Sequence, residues 1–336
     1  MRLCVARTEM STSQETPEIS VLLSVHDGAP YIAQAVDSLL NQSEQHLEVI
    51  AIDDGSTDGS GEILERYAVL DTRVRVFRRT HVGLTVSLNA GLQAAQGRYF
   101  ARLDADDIAL PGRLAAQREY LECNPEIALV GSDAVLIDTE GHEFGRTQVG
   151  AASHEALADR LLHMDAFFPH SSWLVRRDVM KNLGGYDEFY RKAQDYDFLL
   201  RCIERYRIAC LPARLVGLRK TIGSASYDTQ FLQYRYAVVA LVSHLARTRK
   251  LSLAPVSQQA LFDAVSRWFS ESGLRDCMLS QLHASFAVYA LRAGTFLDAL
   301  RYLREAFKTD SLFALRRGSL TRRRRYPLPS LTPYLR

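Results

Sequence analysis

LEVIAIDDGSTDGS, residues 47–60, runs an apolar, β-branched stretch straight into three carboxylates and two glycines. A continuous run such as Leu47–Ile52 suits a strand covered on both faces, because neither alternate side meets water. The Gly-, Asp- and Ser-rich residues that follow are turn chemistry, and Ile63, Leu64 and Tyr67 then take up helical spacing. Asp58, with Ser56 and Thr57, is expected to start that helix. Asp53 and Asp54 close the strand itself, and acids at the end of a buried strand cost free energy unless something pairs with them.

The same alternation spreads outward in both directions. ISVLLSV (19–25) reads as a second buried strand, and Ile32, Ala35, Val36, Leu39 and Leu40 mark a helix over 30–42. VRVF (74–77) and RYFARLD (98–104) read as further strands, with a helix over 84–96 between them. Strand–helix alternation of this kind predicts an α/β fold: a mostly parallel, Rossmann-like sheet with helices on both faces. Ligands in such sheets bind beyond the carboxyl ends of the strands, so the acids at 53–58 and at 104–107 should face one crevice. Helices are expected over 113–122, 153–163 and 194–205, one or two strands over 127–138, strand into helix over 171–180, and short strands at 208–212 and 214–220. From residue 228 the spacing is helical only, over 230–247, 257–270, 278–293 and 297–308.

LDADDIALPGR carries Asp104 and Asp106 in D-x-D spacing directly after a strand. Two carboxylates on one side of a loop form a hard-oxygen site for Mg²⁺ or Mn²⁺, which completes its shell with water and phosphate oxygens. AQDYDFLLR places Asp195 and Asp197 at a helix start, where an anion is favoured by the helix dipole. Asp195 reads either as an N-cap or as a general base for an attacking hydroxyl.

Taken in order, ISVLLSVHDGAPYIAQAVDSLLNQ (19–42), LEVIAIDDGSTDGS (47–60), GLTVSLNAGLQAAQGRYFARLDADDIALPGRL (83–114), GGYDE (184–188), AQDYDFLLR (193–201) and GSAS (223–226) resemble an inverting family 2 glycosyltransferase of the GT-A fold, of the bacterial polysaccharide or glycoconjugate type. The resemblance covers residues 18–226. It implies that Ser24 and Val25 line a nucleotide pocket and that Asp53 and Asp54 contact the nucleotide, so that a nucleotide rather than a protein cation partners the acids. It further implies that Asp104 faces the ribose or sugar, that Asp106 holds a divalent metal on the diphosphate, and that Asp195 is the catalytic base. Arg102 is either a donor contact or a structural ion-pair partner. His170 and Trp173, in PHSSWLVRR, lie where an acceptor sugar should approach. The implied donor is a nucleotide-diphosphate sugar, with UDP as the expected carrier, and the acceptor a saccharide or lipid-linked saccharide.

Three departures qualify the resemblance. Thr221 stands where the family often has His, which leaves Arg219 or Lys220 to serve the phosphates. Gln194 replaces a frequent Glu. No Q-x-x-R-W follows and no membrane helix is evident, which favours single-sugar addition over processive synthesis. The competing readings are a nucleotidyltransferase-like enzyme, against which the lack of a Gly-rich loop with Lys or Arg after the first strand argues, and a degenerate scaffold, against which intact Asp54, Asp106 and Asp195 argue.

The totals agree with this organisation. The chain has 336 residues, 47% hydrophobic and 24% charged, enough for a sizeable core. No apolar stretch approaches the roughly 20 residues of a membrane span. Residues 1–17 are polar and read as a disordered lead without a secretory signal. Five scattered cysteines form no C-x-x-C, which fits a reducing, cytoplasmic setting. The expected divisions are therefore a lead (1–17), a GT-A domain (18–227), a helical accessory segment (228–310) and a basic tail (311–336). That tail has seven arginines and no acid, so with a net charge of +2 overall the remainder of the chain is at −5. A basic tail on an acidic body suggests peripheral contact with an anionic membrane at the inner face of the cell; nucleic acid is not expected as a partner.

Overall fold

The computed structural model describes residues 16–165, 167–220, 227–248 and 257–271. The expected lead up to residue 15, the helices expected over 278–308, the basic tail, Thr221 and the GSAS stretch lie outside the described residues.

Four parallel strands form the first half of the sheet: β1 (Ile19–Val25), β2 (Leu47–Asp54), β3 (Val74–Arg79) and β4 (Tyr99–Asp104). Every residue of β1 and β2 is buried, as unbroken apolar runs require. Side chains alternate across the pleat. In β2, Val49 and Ala51 join a core with Ile32, Val36 and Leu39 of α1 (Ala29–Leu40) and Leu64 of α2 (Ser60–Leu70). Ile50 and Ile52 join the opposite core with Leu88 of α3 (Leu84–Ala94). Burying each such branched side chain contributes about 1.5–3 kcal/mol.

Among the described residues the sheet has nine strands, in the order β3-β2-β1-β4-β8-β6-β9-β5, with β7 paired to β6. The added strands are β5 (Ile108–Ala109), β6 (Ile127–Ile137), β7 (Glu143–Arg146), β8 (Leu174–Arg176) and β9 (Arg207–Arg219). The β5, β7 and β8 pairings are antiparallel, whereas β6 and β9 run parallel. The two short strands expected at 208–212 and 214–220 are one strand, whose pairing with β6 slips between Ser132 and Ala134. That irregularity is what reads in sequence as a break around Pro212.

The remaining helices are α4 (Arg113–Cys123), α5 (His154–Leu162), α6 (Arg177–Asn182), α7 (Gln194–Ile203), α8 (Tyr227–Arg247) and α9 (Gln258–Glu271). The last two pack onto the rest of the fold. Phe189 meets Tyr236 and Phe262 edge-on at 5.7 and 6.3 Å, Gln258 donates to Asp187 at 2.7 Å, and His244 lies 3.0 Å from Glu204. The accessory helices thus brace the loop between α6 and α7. None of the described helices is long and apolar enough to cross a membrane.

Registry brings the site together. Val25 pairs with Asp53, and Ser24 pairs with both Ile52 and Asp104. The chain adds strands to one edge of β1 and then, with β4, to the other. The carboxyl ends of β1 and β4 are therefore the topological switch point where a crevice opens.

Candidate functional site

Asp53 and Asp54 are neighbours in sequence but face opposite sides of the sheet. Asp53 accepts from the Ser56 backbone N–H at 2.9 Å and lies 3.3 Å from Arg78 Nε. The expectation that no protein cation partners these acids is therefore corrected: β3 supplies one, in register beside Asp53. Gly61 must be glycine here, since a Cβ would stand 2.4 Å from Asp53 Oδ2 and 2.7 Å from Arg78 Nη2. Asp54 accepts from the backbone N–H groups of Val82 and Gly83 and from Ser87 Oγ, at 3.0, 2.9 and 2.8 Å, and so seats the start of α3. The His26 and His81 rings stack 4.0 Å apart, each with Nδ1 at the Asp54 carbonyl. Ser24 and Val25 are buried at the adjoining strand end.

Asp58 departs from its expected role in part. It accepts from Ser60, at the start of α2, but its other oxygen accepts from Ala29 N–H, the first residue of α1, at 2.8 Å. One carboxylate thus ties two helix N-termini together. Burial opposes its charge, but the bonds from Ser60 and Ala29 together hold it below the usual carboxylate range.

The D-A-D-D loop is built on buried arginines. Arg102 reaches Asp104 and the Leu103 carbonyl, and Arg113 Nη2 donates to the Arg102 carbonyl at 2.7 Å. Asp104 keeps 37% of its side chain exposed. Burial works against its charge, but Arg102, His170, the Ser171 hydroxyl and Lys220 together hold it below the usual carboxylate range. Asp106 is exposed, and among the described residues no cation contacts its carboxylate. Loss of hydration within the crevice and the Asp104 charge push its proton affinity up.

Asp107 is buried and plays a different part. Ser171 Oγ accepts from the Asp104 N–H and lies in hydrogen-bond contact with both Asp104 and Asp107. One hydroxyl has one proton, so a second must come from one of the two carboxyls for all three contacts to be satisfied, and with Arg102 paired to Asp104 it falls to Asp107. Burial, then the Asp104 and Asp106 charges, push Asp107 up to about 8, in agreement. A folded value above the unfolded one gives stability that is full below about pH 4 and is lost as pH rises towards 8. Asp107→Asn keeps the acceptor for the Arg219 N–H and a donor for Ser171. The expected result is a Tm that falls less between pH 5 and 8 than in the wild type; parallel Tm–pH curves would refute it.

Arg219, expected at the phosphates, is occupied elsewhere. It donates from Nε to the Asp106 carbonyl (2.8 Å), from Nη1 to the Asp138 and Thr139 carbonyls (2.7 and 3.0 Å) and from Nη2 to Gln34 (2.9 Å). Its guanidinium also lies over Tyr31 at 4.4 Å. It is a brace beneath the D-A-D-D loop, and four of its five N–H groups are spent. Lys220, the alternative, contributes positive charge at Asp104 and Asp106.

On the opposite side, α7 begins after Ala193, which sits at φ 57°. A non-glycine residue in this region costs free energy and turns the chain sharply into the helix. Asp195 follows, half-buried, its carboxylate accepting the Tyr196 N–H at 2.8 Å and, among the described residues, meeting no cation. Burial raises its proton affinity above the ordinary value, and the Asp104 charge adds to this. Asp197, two residues on, is instead paired with Arg201 at 2.8 Å.

Trp173 is 1% exposed, among Phe168, Phe198 and His170. The expected sugar-stacking face is therefore not available, and Trp173 serves as the backing of His170. His170 is half-buried, with Tyr186 Oη 2.7 Å from Nε2. The Asp104 charge acts on His170, on Tyr186 and on Asp195, so these four groups share the crevice. Ser171, Asp107 and Tyr186 are site residues to which the motifs alone gave no role; Asp107 was visible as a member of the LDADDIALPGR cluster, and Ser171 and Tyr186 only through the place of PHSSW and GGYDE on the acceptor side.

The donor set suits a hard divalent cation. Asp106 offers free carboxylate oxygens, repelled by Asp104, and no cluster of three or more His, Cys, Asp or Glu forms a closed cage among the described residues. Mg²⁺ and Mn²⁺ are commonly held in this way, by one or two carboxylates with phosphate oxygens completing the shell.

Comparison with known proteins is consistent with this layout. The model of glycosyl transferase family 2 matches residues 20–184. An uncharacterized glycosyltransferase of Haemophilus influenzae is 32% identical over 216 residues, 63% of this chain and 82% of its own length. Among solved structures, S. aureus TarS 1-349 in complex with UDP-GlcNAc superposes with a TM-score of 0.57 at 16% identity, covering 90% of this chain and 92% of that one. The mannosyltransferase PcManGT of Pyrobaculum calidifontis, in complex with GDP-Man and Mn²⁺, gives 0.52 at 18% identity, covering 96% and 86%.

Proposed function

This chain belongs to the family 2 glycosyltransferases, and from that premise we propose that it moves a single sugar from a nucleotide-diphosphate sugar, with inversion, onto the hydroxyl of a saccharide or lipid-linked acceptor. The observation that carries the proposal is a contrast among acids. Asp53, Asp107 and Asp197 meet protein partners, and Asp54 is saturated by donors. Asp106 and Asp195 have no ion pair among the described residues, and both respond to the Asp104 charge. Among the described acids of the crevice, these two carboxylates are the ones without a cationic partner and are available to a ligand.

In this reading Asp195 takes the proton of the acceptor hydroxyl as its oxygen bonds to the anomeric carbon. The bond from that carbon to the diphosphate oxygen breaks, and the nucleoside diphosphate leaves. One displacement inverts the configuration. Asp106 would hold Mn²⁺ or Mg²⁺, with Asp104 beside it. Such an ion neutralises charge on the leaving diphosphate. Lys220 adds positive charge on the same side. Ser24 and Val25 line the nucleotide end, where Asp53 and Asp54 shape the pocket through the loops they fasten. The UDP and UDP-GlcNAc bound by TarS and the GDP-Man and Mn²⁺ bound by PcManGT support the ligand class.

We further read 18–227 as the catalytic domain and the helices after it as an accessory segment that braces the 186–190 loop. The arginine-rich tail supports peripheral membrane docking, which suits a lipid-linked acceptor. The test is a panel of UDP- and GDP-sugars assayed for release of nucleoside diphosphate with and without Mn²⁺. Metal-dependent release from one donor is expected. No release from any donor, with or without candidate acceptors, would count against the proposal.

A further inference from the structure

His170 opens a 3₁₀ turn, His170–Ser172, just before β8. Its ring is held on two sides. Trp173 meets it edge-on at 4.5 Å and 68°, and Tyr186 at 5.6 Å and 75°. The Tyr186 hydroxyl, 2.7 Å from Nε2, has no other partner among the described residues. With no other described acceptor for the buried phenol's proton, the contact is best satisfied with Nε2 accepting and the ring proton on Nδ1. Burial and the nearby Arg102 charge push His170 down to about 3, so the ring is neutral. Nδ1 makes no hydrogen bond among the described residues, and the ring is only half-buried.

We propose that His170, keyed by Tyr186 as the Nδ1–H tautomer, is a fixed hydrogen-bond donor to a saccharide hydroxyl in the crevice, with Tyr186 as its positioning residue. The inference rests on the glycosyl-transfer reading above. The lining selects the ligand chemistry. Asp104 accepts hydrogen bonds and a neutral imidazole N–H donates one. A hydroxyl can do the complementary pair at once, accepting from His170 and donating to a carboxylate. A phosphate cannot donate in return when ionised, and it is repelled by Asp104 and Asp195.

Neither GGYDE nor PHSSW announces this pair, since sixteen residues separate its members. The sharp GG turn brings them together: Gly184 and Gly185 have φ of 76° and 72°, and Arg201 fastens the turn by donating to the Leu183 and Gly185 carbonyls.

The test has a ligand-free arm and a binding arm, both on the full chain. In ¹⁵N NMR, with His170 assigned by its loss in His170→Asn, the wild type should show Nδ1–H and Tyr186→Phe a mixed or Nε2–H tautomer. An Nε2–H wild type would overturn the lock. In the second arm, His170→Phe and Tyr186→Phe should bind UDP as the wild type does. Their preference for the active UDP-sugar over UDP should fall by roughly 3- to 10-fold, the worth of one hydrogen bond. His170→Asn, which keeps a donor at the δ position, should recover part of the loss. If the hydroxyl is the acceptor's, the same factor appears in acceptor KM instead. Unchanged donor preference together with unchanged acceptor KM would overturn the saccharide assignment. A wild type that binds no UDP would defeat the glycosyl-transfer reading and the saccharide assignment with it, while the tautomer result would stand.

Discussion

Asp195→Asn is expected to lower the transfer rate by about 10²- to 10⁴-fold, the usual worth of a general base, and to leave UDP affinity within about twofold. The substitution is isosteric, and the Asn oxygen still accepts the Tyr196 N–H. What it removes is a site for the acceptor's proton. The pH dependence follows from the raised proton affinity of Asp195. Only the ionised carboxylate acts as a base, so kcat/KM should climb with pH along an acid limb that lies above the ordinary Asp value, and the residual activity of the variant should lack that limb. The stability sign runs the other way. A folded value above the unfolded one means that ionised Asp195 is disfavoured in the fold, so its contribution is lost as pH rises through its folded pKa. Asp195→Asn should therefore have a Tm at pH 7.5 equal to or above that of the wild type. Normal transfer by the variant would show that Asp195 is not the base.

Asp106→Ala carries the second large effect. Its carboxylate is exposed and meets no cation among the described residues, so the folded protein should change by no more than about 0.5 kcal/mol. Function should change far more, because the only D-x-D carboxylate not held by Arg102 and Ser171 is gone. Transfer should fall on the order of 10²-fold or more, as when a group that stabilises developing charge is removed. Mn²⁺ should no longer strengthen UDP binding. Calorimetric titration of UDP against wild type and variant, at fixed Mn²⁺ and in EDTA, checks this. A variant that keeps the full Mn²⁺ enhancement would place the cation elsewhere.

The strands and the crevice were legible because their signals are local. Unbroken apolar runs give β1 and β2, D-x-D follows its strand directly, and Asp195 sits beside a helical run. What stayed hidden depends on partners far away in sequence. Arg78 reaches Asp53 only because β3 pairs with β2, so the partner of the opening acids could not be read from DDGSTDGS. Arg219 looks like a phosphate ligand until Gln34 of α1, the Asp106 carbonyl and the turn at Asp138 and Thr139 converge on it from three places in the chain. Trp173 sits in a polar-looking stretch, yet the packing of Phe168 and Phe198 encloses it. The Ser171 bridge between Asp104 and Asp107 spans more than sixty residues and leaves no motif.

The direct test of the central claim is the thermal stabilisation of the full chain by UDP, with and without Mn²⁺, against ATP. A nucleotide-sugar site completed by Asp106 and a divalent cation predicts a Tm rise with UDP that grows when Mn²⁺ is added, and a smaller rise with ATP. A shift that is absent for UDP, or larger for ATP and indifferent to Mn²⁺, would contradict it.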